Sequence, residues 1–278
     1  MDSVTQTASS MHEALFRRYG AAIPSAGPWN DTISFLLDHR SVRDFLPDPV
    51  PPGTLETLIA AAQSAATSSN MQLWSVVVVS DPAKRRVLAE IAGNQRHIEQ
   101  CPLYIAWVAD LSRNERLSQA ENATFECLPY LETFTVACVD AALAAQNAVV
   151  AAEALGLRTV YIGAMRNDPA RVAELLGLPP RTFVVFGLCV GYADPRSRNE
   201  VKPRLPQSSV VHHERYDPSA QARDRTAYDD ELAKFSARNE MQATNWTQRM
   251  LNRMGPLKSM NGRDRLRSVL SKLGFELR

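Results

Sequence analysis

The chain has 278 residues, 45% of them apolar, and its 31 Lys and Arg against 30 Asp and Glu leave a formal charge of only +1. That is enough for one domain-sized core with appendages, while the lack of an uninterrupted run of about 18 apolar residues argues against a membrane span. The first twenty residues are too polar for a signal peptide, and Cys101, Cys127, Cys138 and Cys189 lack C-x-x-C spacing, so a cytoplasmic protein with buried thiols and no metal is expected.

Residues 1–28 show no clear hydrophobic period and close in Ala-Gly-Pro, which predicts a partly ordered extension with one short helix around 12–19 and no chemistry. Residues 31–37 read as the first core helix; Pro47, Pro49, Pro51 and Pro52 then hold the chain extended, because each ring fixes φ and restrains the residue before it. Pro52-Gly53-Thr54 opens a second helix through Ala66, with Leu55, Leu58, Ile59 and Ala62 on one face. After a polar loop at 67–70, the apolar β-branched run 72–79 has the pattern of a central strand. A helix starts at Asp81-Pro82, 103–109 is a second buried strand, and 133–155 is a long Ala-rich helix whose small residues imply close packing, including across a subunit boundary. A strand at 157–163, a helix at 168–176 and a strand at 183–191 complete a core placed at 29–210. Beyond it, in 211–278, the helical stretches 223–235, 247–254 and 263–273 are too polar to pack alone.

Charge is unevenly spread. From residue 196 onward there are 17 Lys and Arg against 10 Asp and Glu, leaving 14 against 20 before it. Interleaved acids and sparse aromatics point away from nucleic acid and toward a small anion, with a solvated helical surface as the plain alternative. No strand-G-x-G-x-x-G-helix, Walker A motif, G-x-S-x-G elbow or H-E-x-x-H is present, and His97, His212 and His213 lack ligand spacing.

Four segments share one chemistry. His39-Arg40-Ser41-Val42-Arg43 sets two guanidiniums, an imidazole and a hydroxyl together, which suits a phosphate, although a charged helix end has the same composition. The others are the polar loop Thr67-Ser68-Ser69-Asn70, the strand end Tyr161-Ile162-Gly163-Ala164, and Lys202-Pro203-Arg204, whose two cations straddle a proline in extended backbone.

In order, these segments resemble the FMN-dependent nitroreductase superfamily, most closely its NADPH-dependent, oxygen-insensitive nitroreductase and flavin reductase P subgroup. The carriers are H-R-S-V-R-D-F at 39–45, A-T-S-S-N-M-Q at 66–72, N-Q-R-H at 94–97, A-A-Q-N-A-V-V-A-A-E-A-L-G-L at 144–157, Y-I-G-A-M-R-N at 161–167, F-G-L-C-V-G at 186–191 and K-P-R-L-P at 202–206. The resemblance implies an α+β homodimer with a mixed central sheet wrapped by helices, and a C-terminal excursion embracing the partner. It implies that His39, Arg40, Ser41 and Arg43 flank the FMN phosphate and ribityl chain, with Lys202 and Arg204 closing on the phosphate. Thr67, Ser68 and Gln95 would line the flavin, and the backbone of Tyr161, Ile162, Gly163 and Ala164 would lie against its reactive edge.

For NADPH, the resemblance implies Arg263 and, with less regular spacing, Arg238 at the 2′-phosphate, with simple exposure as the alternative. The resemblance likewise implies that Ser69 and Asn70 lie at the substrate side of the pocket. Two departures stand out: Asn70 replaces an aromatic ring over that pocket, and Ala164 replaces a glycine, which is tolerable only if that residue does not need φ > 0. The implied reaction is ping-pong reduction of small-molecule acceptors such as nitroaromatics, quinones or flavins, with no side chain acting as acid or base. Heterocycle oxidation or dehalogenation on the same fold, or non-catalytic flavin binding, remain alternatives.

Overall fold

Four β-branched and aromatic runs make the sheet, and helices fill the chain around them. The computed structural model describes residues 2–242 and 244–278, with side chains from Ser10 onward. The elements follow as α1 (Asp2–Tyr19), α2 (Asp31–Leu37), α3 (Thr54–Gln63), β1 (Trp74–Val78), α4 (Pro82–Ile91), α5 (His97–Gln100), β2 (Leu103–Asp110) and α6 (Ser112–Ala120). The remainder are α7 (Leu131–Ala154), β3 (Arg158–Ile162), α8 (Pro169–Leu176), β4 (Thr182–Gly191), α9 (Gln221–Arg238), α10 (Trp246–Met254) and α11 (Leu266–Lys272). Two compact units result: one runs from α1 to Arg40 and from Arg198 to Ser259, the other from Ser41 to Ser197 and from Met260 to Arg278.

The second unit holds the sheet, in the order β1-β2-β4-β3, and every neighbouring pair is antiparallel. The α+β class is as expected, but the mixed sheet is realised as an antiparallel one. Among the described residues parallel pairing is confined to a bridge from Ser41 to Thr159. The chain then leaves Thr159, and Phe45 forms an antiparallel bridge with Ala193 instead. β2 is buried along its whole length. Gly187 of β4 is required for steric reasons: a Cβ there would sit 2.0 Å from the Tyr104 hydroxyl, which itself meets the Met165 sulfur at 3.0 Å.

α7 is long and apolar enough by composition to cross a bilayer, yet it serves as a core helix. Its Ala144, Ala145, Ala148 and Ala152 are buried in one cluster with Leu58 and Ala62 of α3 and Ile105 and Trp107 of β2. Alanine at each position lets the backbones approach closely, which explains the small residues noted in the sequence. On other sides of α7, Leu131, Val139 and Leu143 are exposed.

Two helices had no clear sequence signal. α5 is a single turn, and α6 buries only Ser112, so neither has an apolar stripe for periodicity to detect. α3 ends at Gln63, short of Ala66, where the Ser64 hydroxyl turns back to the Ala60 carbonyl.

In the first unit, α1 extends well beyond the short helix expected. It buries Ala14, Leu15 and Arg18. An arginine on the buried face hides the amphipathic period, because only apolar residues are counted when it is read. α2 has no fully buried residue, whereas α9 buries Tyr228, Leu232 and Phe235 at helical spacing.

The alanine face yields a first prediction. Ala148→Leu should destabilise the protein by roughly 1–3 kcal/mol through overpacking, read as a lower urea midpoint; an unchanged midpoint would mean the helix can move away from the sheet freely.

Candidate functional site

Asn30 caps α2 by accepting from the Ile33 amide at 3.0 Å, and the helix delivers the chain to His39 and Arg40. The Arg40 guanidinium donates to Asp38 at 3.2 Å. In the second unit, Val42 and Phe45 are buried and the Val42 amide donates to the Thr159 carbonyl at 3.0 Å. These anchors leave Ser41 and Arg43 exposed. Arg43 makes no ion pair among the described residues, so its charge is available to a ligand.

The polar loop is built by a residue not foreseen from sequence. Asp140 of α7, 2% exposed, accepts from the Thr67 hydroxyl at 2.5 Å, the Leu73 amide at 3.1 Å and the Ser68 amide at 3.3 Å. Thr67 in turn accepts from the Gln72 amide at 3.0 Å, so its hydroxyl is engaged in shaping the loop and keeps one lone pair. Ser69, Asn70 and Gln72 all have left-handed backbone, with φ of 47°, 55° and 52°. Such conformations cost of order 1 kcal/mol or more each and cluster at functional sites. Ser68, Ser69 and Asn70 are exposed. A lone aspartate among buried alanines was the available signal for Asp140, since buried carboxylates are almost always partnered.

Gln95 is half-buried and donates to the Ala92 carbonyl at 3.0 Å. Nearby His97 is buried, with no partner for its Nε2 among the described residues. Burial, and then the Arg43 guanidinium, hold its pKa below the ordinary value, with Asp44 opposing.

β3 ends at Ile162, and Gly163–Asn167 forms a 3₁₀ turn. Ala164 is buried and does not have positive φ, so its methyl carries no backbone penalty. A Cβ on Gly163 would lie 3.1 Å from the Arg166 guanidinium. Tyr161 packs edge-on to Phe186, and burial, then Glu153, raise its phenol above the ordinary pKa, keeping it neutral.

The same turn receives the C-terminal segment. Arg263 donates through Nε to the Asn167 side-chain carbonyl at 2.8 Å, and Asn167 donates to the Ile91 carbonyl at 2.9 Å. Gly262, at φ 86°, is needed there: a Cβ would sit 2.8 Å from the Asn167 main-chain oxygen. The structure therefore joins Arg263 to the segment holding Tyr161–Ala164.

In the first unit, Lys202 and Arg204 flank Pro203, whose carbonyl accepts from the Tyr228 hydroxyl at 2.9 Å. The Lys202 ammonium lies 5.7 Å from the centre of the Phe235 ring. Arg204 is exposed, and among the described residues its guanidinium donates only to the Lys202 and Pro203 carbonyls, at 3.2 and 3.4 Å. Arg238 pairs with Glu200 at 3.1 Å, and its carbonyl accepts from Arg198.

Solved structures share this fold: B. megaterium NfrA2 superposes with a TM-score of 0.83 at 36% identity, over 90% of this chain and 100% of that one, and the NfrA1 nitroreductase from B. subtilis with a TM-score of 0.82 at 35% identity, over 88% and 99%. Residues 36–192 match the nitroreductase family, and residues 202–278 its C-terminal domain. The chain belongs to the nitroreductase family. It is 37% identical over 230 residues to the FMN reductase (NADPH) of Bacillus subtilis, covering 81% of this chain and 92% of that protein. It is 38% identical over 204 residues to the oxygen-insensitive NADPH nitroreductase of Salmonella typhimurium, covering 73% and 82%.

The depressed His97 pKa sets a pH dependence. Its unfolded form titrates near 6.5 and its folded form lower, so this contribution to stability is present above 6.5 and is lost as pH falls toward the folded pKa. Unfolding free energy measured on both sides of pH 6.5 should drop on the acid side, and His97→Gln should flatten that drop; an unaltered slope would dismiss His97 as its source.

Proposed function

We propose that this protein is an FMN-dependent NADPH oxidoreductase that reduces flat, electron-poor acceptors such as nitroaromatics, quinones or flavins. The observation that carries the reading is the bond from Arg263 to Asn167, which brings the basic C-terminal segment to the Tyr161–Ala164 turn, in a chain whose relatives are named for NADPH and FMN.

The residues fit such a cofactor. Arg43 and Arg204 are exposed and meet no carboxylate among the described residues; one unit carries His39, Arg40, Lys202 and Arg204 and the other Ser41 and Arg43, residue types that a phosphate and ribityl chain require. Thr67, Ser68 and Gln95 offer polar groups beside the flavin, and the Tyr161–Ala164 backbone offers amides to its edge. The chemistry supplied by bound FMN is hydride transfer from NADPH to an acceptor that enters after NADP leaves. The chain binds and orients: Arg263 in the sheet-bearing unit and Arg238 in the other are each a candidate for the 2′-phosphate of NADPH, while Ser69 and Asn70 are assigned to the acceptor. Tyr161, kept neutral by burial, is no base.

A homodimer working in the cytoplasm completes the proposal. Exposed Leu131, Val139 and Leu143 on α7, and Leu251, Met254 and Leu257 at and after α10, support a partner surface, and four free cysteines suit a reducing compartment, although only Cys101 and Cys189 are buried as expected while Cys138 is half-buried and Cys127 exposed. Sedimentation at the monomer mass would contradict the dimer.

Two measurements test the reading. The purified protein should be yellow and bleach on anaerobic addition of NADPH; a bound flavin that stays oxidised would end the proposal. Arg263→Ala should raise the KM for NADPH roughly tenfold or more, the worth of a charge-assisted bond, with little change for NADH. Equal losses with both coenzymes would remove Arg263 from the 2′-phosphate.

A further inference from the structure

Arg18 lies outside both segments that match the family, on the last turn of α1, and is only 6% exposed. Its guanidinium is directed entirely at main chain. Nη1 donates to the Lys202 carbonyl at 2.8 Å, and Nη2 donates to the His39 carbonyl at 2.8 Å and to the Leu37 carbonyl. The Arg18 carbonyl accepts from the Arg204 amide at 2.8 Å. One residue is thus bonded to both backbone segments that carry the proposed phosphate-binding cations in this unit, and the Tyr228 hydroxyl fixes Pro203 between Lys202 and Arg204.

The charge on Arg18 is harder to explain by packing alone. None of its hydrogen bonds goes to a carboxylate. Burial, followed by repulsion from Arg204, pulls its pKa down to about 10, with Tyr19 and Asp38 opposing, so it stays charged at neutral pH in a place that on balance disfavours charge. Tethering a helix is done more favourably by an apolar side chain than by a buried cation. A dianionic phosphate beside Arg204 removes the repulsion and turns the buried charge to use, while the planar fork satisfies three carbonyls at once.

We propose that Arg18 is a positioning residue for the FMN phosphate: it clamps the 37–39 and 202–204 backbones together and adds a buried positive charge behind the cations that touch the ligand. This rests on the reading that His39, Arg40, Lys202 and Arg204 take the phosphate. It assigns the N-terminal helix a part in cofactor affinity.

FMN and riboflavin differ only in the phosphate, so their affinities separate this role from a merely structural one. The full-length protein, freed of flavin, is titrated with each by fluorescence quenching. Arg18→Ala should weaken FMN by about tenfold or more and leave riboflavin within about twofold, the expectation for loss of a charge-assisted contribution to the phosphate alone. Equal weakening of both flavins, or no weakening of either, overturns the proposal. Arg18→Lys keeps the charge but not the three-carbonyl fork; it should show the same selective loss, several-fold in size, and it decides the matter if the alanine variant does not fold. Arg204→Ala is the control. If it too leaves the FMN-to-riboflavin ratio unchanged, the phosphate assignment itself fails; if it collapses the ratio while both Arg18 variants preserve it, only the role of Arg18 is lost.

Discussion

The antiparallel ladder between β2 and β4 is the constraint on which the sheet-bearing unit depends. β2 is buried along its length, and Gly187 opposite Ala106 makes room for the Tyr104 ring. From that ladder each edge strand places one part of the candidate site. β1 pairs with β2 and begins just after the Thr67–Gln72 loop; β3 pairs with β4 and ends at the turn that starts at Gly163. The side chains proposed to meet a flavin sit at strand ends and loops, while the strands themselves supply rigidity, which is the usual division between scaffold and site.

Buried and half-buried polar side chains do the joining that apolar packing cannot. Asp140 gathers the donors of the polar loop onto α7, and Asn167 receives Arg263. Buried Arg85 and Arg18 each satisfy several main-chain carbonyls with one guanidinium. A loop or extended segment leaves carbonyls and amides without ladder partners, and a buried group of that kind costs free energy unless something bonds to it. These residues are therefore what allows irregular, ligand-facing chain to be ordered beside a core.

The alanine face of α7 has a related consequence. Small residues bring α7 close to α3 and β2, and that proximity lets a side chain as short as aspartate reach the Thr67 hydroxyl. The spacing of the core and the shape of the polar loop are set by the same helix.

Most elements were legible in the residues alone, because the burial of a strand or helix face imprints a local period: β2, β4, α7 and α8 fall where they were read, and α4 begins at its Asp81-Pro82 start signal. The candidate ligands were picked out as residue types, guanidiniums at 39–43 and 202–204 and hydroxyls at 67–70, although a charged helix end offers the same composition. Where the period broke, sequence reading fell short: α1 buries an arginine, α6 buries almost nothing, and the sheet's antiparallel sense leaves no local mark. What only the tertiary structure decided is which distant residues meet. Thr67 and Asp140 are 73 positions apart, Asn167 and Arg263 are 96 apart, and Arg18 and Lys202 are 184 apart. A hydrogen bond between residues that far apart imposes no periodicity on the intervening chain, so it becomes visible only once the chain has folded and brought the two together.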